Sequence, residues 1–123
     1  MFYVAIVLAG GSGALLRYLL SRTVISLNWT ALPIGTLLAN VIGSFLIGYL
    51  SWMFVHRWQL SNELQVVVLT GFLGGFTTFS AFSLEVISLF ESELTVRAIL
   101  YVSLSVSLSI LMCLFGLYLA RQT

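Results

Sequence analysis

The sequence predicts an all-α membrane protein: four transmembrane helices forming a single domain over residues 1–123. Three observations predict it. Of 123 residues, 60% are hydrophobic and only 7% are charged, against about 25% charged in soluble domains. The mean hydropathy is +1.11. A membrane helix needs roughly 20 apolar residues, so the length holds about four spans and little else. A chain of this composition cannot cover a water-facing surface, which excludes a cytosolic enzyme and a disordered regulator. A net charge of +1 offers no basic footprint for nucleic acid.

Four apolar stretches follow in order: residues 2–20, 32–55, 64–90 and 97–120. The first lacks the positive n-region of a signal peptide and reads as a retained span. Within it, Gly10, Gly11, Ser12 and Gly13 lack the spacing and the lysine of a phosphate loop, and small residues there most simply allow close helix approach. Pro33 stands at the start of the second span, where a missing N–H costs little. The links, residues 21–31, 56–63 and 91–95, are too short for a soluble domain. Trp29, Trp52 and Trp58 lie near span ends, where amphipathic rings favour the interface.

The third span carries Gly71, Gly74, Gly75, Thr77 and Thr78 at mid-membrane. Glycine weakens a helix interior by about 1 kcal/mol against alanine. Two readings stand: close packing through the small-xxx-small pair Gly71 and Gly75, or a helix broken at its centre, whose unwound carbonyls can hold a cation. Charge placement is balanced. With the N-terminus inside, Arg57 and Arg121 lie inside and Arg22 and Arg97 outside. The positive-inside bias therefore picks no side, and a chain that inserts both ways can form an antiparallel homodimer. The alternative is that a minor feature sets one orientation.

Several residues can carry chemistry. Asn40, in the middle of the second span, needs a hydrogen-bond partner in hydrocarbon; it either joins helices or lines a permeation path. Arg17 and Glu85 are the most deeply placed charges. Both can snorkel, and Glu85 is also a candidate proton-coupling carboxylate, although it lies away from the midplane. On the fourth span Tyr101, Ser105, Ser109 and Cys113 share one helical face, a stripe that can donate to a passing anion or bond back to its own helix. Phe79 and Phe82, three residues apart around Ser80, are either core and lipid-facing rings or a pair whose positive ring edges meet a small anion. Catalysis finds no constellation: His56 stands in a link without a Cys or acid cluster, and the lone Cys113 permits no internal disulfide.

Three motifs in order resemble one family. Residues 71–85 resemble the third-helix signature of the Fluc (CrcB) fluoride channels, residues 10–18 the first-helix motif, and residues 33–43 the second. The resemblance implies a single four-helix channel domain in the bacterial inner (plasma) membrane, working as a dual-topology antiparallel homodimer that exports fluoride passively and protects the cell from it. It implies that Phe79 and Phe82 are pore phenylalanines, Asn40 the pore asparagine, and Ser80 the small hydroxyl between the rings. Gly74 and Thr77 then offer backbone carbonyls to a structural sodium ion at the dimer centre. Tyr101, Ser105 and Ser109 resemble a polar track, while Arg17 and Glu85 match motif charges. Cys113 departs from the threonine common at its position. A proton-coupled multidrug transporter shares the length and span number but needs an acid in the first span, which has none. A non-transporting assembly subunit has no need of Asn40 or the phenylalanine pair.

Overall fold

The structure, a computed structural model, describes residues 1–27 and 32–123. Trp29 and the last part of the first link lie outside the described residues. Four segments are long and apolar enough to cross a membrane: Phe2–Ser26, Ile34–Arg57, Asn62–Glu91 and Thr95–Gln122. No strand occurs among the described residues.

The first segment is one helix, α1 (Phe2–Ser26), and it runs past the expected end at Leu20. In its last turns the hydroxyls bond inward: Thr23 Oγ1 donates to the Leu19 carbonyl at 2.9 Å and Ser26 Oγ to the Thr23 carbonyl. Such back-bonding satisfies polar side chains where water is scarce. The second segment is α2 (Ile34–Trp52), continued by a wide π-helical turn over Met53–Arg57.

The third segment is the irregular one. Ser61 accepts from the Leu64 N–H and caps α3 (Asn62–Val66), in the manner of serine at helix starts. A π-helical stretch, Val67–Leu73, and one last turn, α4 (Gly74–Phe76), follow. Thr77 and Thr78 are then extended, with φ/ψ of −84/156° and −154/125°, and α5 (Phe79–Glu91) restarts the helix. Glu93, at φ 60°, turns the chain, and the Leu94 N–H closes back on the Leu89 carbonyl at 2.9 Å, a Schellman-type end. The chain then enters α6 (Thr95–Gln122).

Glycines let the segments touch backbone to backbone. A Cβ on Gly13 would overlap the Phe72 carbonyl oxygen, and one on Gly75 would overlap the Gly10 carbonyl oxygen, so α1 lies flush against the third segment. Gly48 and Gly116 do the same for α2 and α6, meeting the carbonyls of Cys113 and Phe45 respectively. Without a hydrophobic drive between helices in lipid, such close approach is what holds them. The buried cluster Leu37, Phe82, Leu89, Ala98 and Tyr101 sits where α2, α5 and α6 converge. Outside this cluster Ala39, Met53, Phe54, Leu73, Phe76 and Ala120 are also buried, while many other large apolar side chains face outward, and Gly13 is the single buried residue of α1.

Candidate functional site

The extended pair Thr77–Thr78 organises the site. Asn40, on α2, meets Thr78 with both ends of its amide: Nδ2 donates to the Thr78 carbonyl at 2.9 Å, and Oδ1 accepts the Thr78 N–H at 2.8 Å. Thr78 in turn accepts the Ala81 N–H on its hydroxyl at 3.2 Å, capping α5. Its Oγ1 also lies 3.3 Å from the Ser80 hydroxyl.

These bonds decide which carbonyls are left over. In a continuous helix the Thr78 N–H serves the Gly74 carbonyl and the Ala81 N–H serves that of Thr77. Here both donors are spent elsewhere. The Gly75 carbonyl, also at the end of α4, receives the Arg17 guanidinium at 3.4 Å. Leu73 keeps its partners, accepting both the N–H and the hydroxyl of Thr77 at 2.9 Å. The carbonyls of Gly74 and Thr77 are therefore released from the helical ladder, and a main-chain acceptor without a partner is costly. Among the described residues there is no cluster of three His, Cys, Asp or Glu side chains for a metal.

Beside the extended pair, a cavity of about 400 Å³ opens between α2, the third segment and α6. Asn40, Gly74, Thr77, Phe79, Phe82, Ser105 and Ser109 all reach its wall. The Phe79 and Phe82 rings are 5.4 Å apart and tilted by 46°. Phe82 is buried, whereas Phe79 is 76% exposed. Ser105 is only 5% exposed, yet its hydroxyl has no hydrogen-bond partner.

Ser80, Tyr101, Arg17 and Glu85 stand apart from the cavity wall. Tyr101 is fully buried; its ring packs 5.4 Å from that of Phe82, and its hydroxyl donates to Glu85 Oε2 at 2.6 Å. Thr36 donates to the other carboxylate oxygen at 2.7 Å. Glu85 thus ties α2, α5 and α6 together. The stripe expected along α6 divides at Tyr101, which supports Phe82 from behind, while Ser105 and Ser109 reach the cavity.

Sequence reasoning missed Thr36 and the capping role of Thr78. Thr36 stands four residues before Asn40, one turn along the same face, and that spacing was the available signal. Thr78 precedes the restarted helix as threonine precedes many helices.

The family model described as CrcB-like protein, Camphor Resistance (CrcB), matches residues 4–117. The chain belongs to the CrcB family. Curated relatives of similar length agree. A protein of Rhizobium meliloti (strain 1021) is 45% identical over 122 residues, covering 98% of each chain. One of Rhizobium etli (strain CIAT 652) is 44% identical over 116 residues, 94% of this chain and 93% of its own. One of Roseobacter denitrificans is 47% identical over 119 residues, with the same coverage. Each is named a fluoride-specific ion channel FluC, the name of a channel and not of an enzyme.

Proposed function

We propose that this protein is a passive, fluoride-selective channel of the bacterial inner membrane that lets the ion leave the cell and so limits its toxicity. The carrying observation is the cavity, where two phenylalanine rings, an amide and a buried, unpartnered hydroxyl converge within four apolar spans. The names of the relatives support the choice of ion.

The geometry suits a small, strongly hydrated anion. Such an ion leaves water only if donors replace its shell, and a buried charge without them is very costly. Ser105 offers a free hydroxyl. The amide of Asn40 has two N–H bonds, of which Thr78 takes one, leaving one for the anion. Ring edges of Phe79 and Phe82 add a weak positive field. Ser109 continues the path, with the Ser80 hydroxyl beside the extended pair, while Tyr101 backs the Phe82 ring rather than facing the ion. Neutral donors bind an ion without trapping it, as conduction requires.

A second copy completes the assembly in this reading. Balanced arginines permit insertion in both orientations, and an antiparallel homodimer would bring two breaks together. The released carbonyls of Gly74 and Thr77 fit a structural sodium ion, since α4 ends there and helix C-termini favour cations. When bound, sodium supplies a positive charge that offsets the cost of an anion in a low-dielectric setting. Lipid and fluoride are the remaining partners.

Efflux from liposomes tests the proposal. Purified protein is reconstituted with a potassium gradient and valinomycin, and release is followed with fluoride and chloride electrodes. Fast fluoride release with little chloride is expected, and Asn40→Ala should impair it. A folded, inserted protein that releases no fluoride refutes the channel.

A further inference from the structure

Asn40 was read above as an anion donor, but its strongest contacts are to backbone. Both polar atoms of its amide engage Thr78 across a sequence distance of 38 residues. Nothing in permeation alone requires the Oδ1 contact, because an acceptor is of no use to an anion. What that contact does is consume the one N–H that would otherwise close the helix onto the Gly74 carbonyl.

We propose that Asn40 is a positioning residue for the cation site: by clamping the extended backbone of Thr78 from α2, it keeps the Gly74 carbonyl turned out of the helical ladder and free to ligate a monovalent cation. The inference rests on the sodium reading given above and extends it. Thr78 plays the companion part for Thr77. Its hydroxyl takes the Ala81 N–H, and so leaves the Thr77 carbonyl without its helical donor. One α2 side chain and one hydroxyl thereby set both ligands.

The physical logic is that of competition for donors. A main-chain N–H buried at this depth must find an acceptor. With Oδ1 present it finds Asn40, and the chain stays extended. With Oδ1 removed, the acceptor one turn back is the Gly74 carbonyl, and closing on it lengthens α4 at the expense of the cation ligand. Because the clamp comes from a different span, cation binding also depends on the fit of α2 against the third segment. Gly43 permits that fit, since a Cβ there would overlap the Thr77 methyl group. Groups that orient metal ligands commonly change affinity 10–100-fold when removed.

The test compares thermal stability in detergent in sodium chloride with that in N-methyl-D-glucamine chloride, over a sodium titration. A ligand bound by the folded state alone raises stability with concentration, so the sodium-dependent increment reports the site, while stability in the organic cation reports the fold. The unaltered protein should show an increment that grows with the logarithm of sodium once sodium exceeds its dissociation constant. Asn40→Ala should move the sodium concentration at which that rise sets in upward about tenfold or more, beyond any loss it suffers in the organic cation. Thr78→Val should do the same, and Thr78→Ser, which keeps the hydroxyl, should retain the original response.

If Asn40→Ala titrates with sodium as the unaltered protein does, the positioning role is overturned and the channel reading stands. If Asn40→Ala does not fold, equal sodium titrations of Thr78→Val and Thr78→Ser overturn the clamp arrangement. If the unaltered protein shows no sodium increment, the cation site and this role fall together, and fluoride efflux still judges the channel separately.

Discussion

Replacing Gly48 with alanine tests whether the cavity depends on backbone contact between α2 and α6. A Cβ at Gly48 would overlap the Cys113 carbonyl oxygen and stand 2.9 Å from its carbon and 3.1 Å from its Cα. Ordinary contacts between such atoms lie at about 3.5–4.0 Å, so the helices must part by roughly 1 Å. No rotamer relieves the overlap, because both partners are main chain. A gap of that size forfeits about half of each dispersion contact along the seam, and overpacking typically costs about 1–3 kcal/mol. We expect the upper end, about 3 kcal/mol, and a fall in thermal midpoint of roughly 10 °C, read as the fraction remaining monodisperse on gel filtration after heating. Fluoride efflux should fall as well, since α2 carries Asn40 and α6 carries Ser105. Gly11→Ala is the control: nothing lies within 4 Å of its Cβ, so stability should hold or rise slightly. A Gly48→Ala protein with the midpoint and flux of its parent would refute the seam.

The two cavity phenylalanines should separate stability from conduction. Phe82→Ala removes a ring buried against Tyr101 and should cost about 3–5 kcal/mol. Phe79→Ala, at an exposed ring, should change the midpoint by less than about 0.5 kcal/mol equivalent while lowering fluoride efflux; normal efflux would remove Phe79 from the path. Glu85→Gln keeps one acceptor oxygen and should leave a passive channel whose rate does not require a proton gradient. Collapse of both flux and its pH dependence would favour proton-coupled exchange. Glu85→Leu strands the buried hydroxyls of Thr36 and Tyr101 and should cost roughly 2–4 kcal/mol, seen in the same heating assay.

Much of this was legible in the chain, because hydropathy reports lipid contact directly. All four spans are visible in the sequence, and the glycine-threonine run between Gly71 and Thr78 stands out in it. The motifs at residues 10–18, 33–43 and 71–85 also pointed to the family that the comparisons show. Span ends were less legible. Hydropathy fades where Arg22, Thr23 and Ser26 enter, yet α1 continues to Ser26, with the Thr23 and Ser26 hydroxyls satisfied on the helix's own carbonyls. Polar partnerships were least legible. Asn40 left gluing and lining open, and its partner Thr78 lies on another span. Glu85 reads in the sequence as a snorkelling or proton-coupling carboxylate, since its partners Thr36 and Tyr101 stand 49 and 16 residues away. Long-range pairs of this kind follow from which glycines let which helices touch, and a single sequence does not rank those contacts.

The cavity's walls also bear on what a solitary chain does in a bilayer. Leu69, Leu73, Ile47, Val106 and Ile110 line it beside the polar groups, and the Phe79 ring stands at the surface. Apolar hollows stay dry unless several polar partners hold water in place, and acyl chains are a good solvent for phenyl and leucine alike. A lone protomer would therefore fill this hollow with lipid tails and be sealed to ions. On the antiparallel pairing proposed above, copies not yet paired would not short-circuit the membrane, and leak would be withheld until a second polypeptide displaced the lipid.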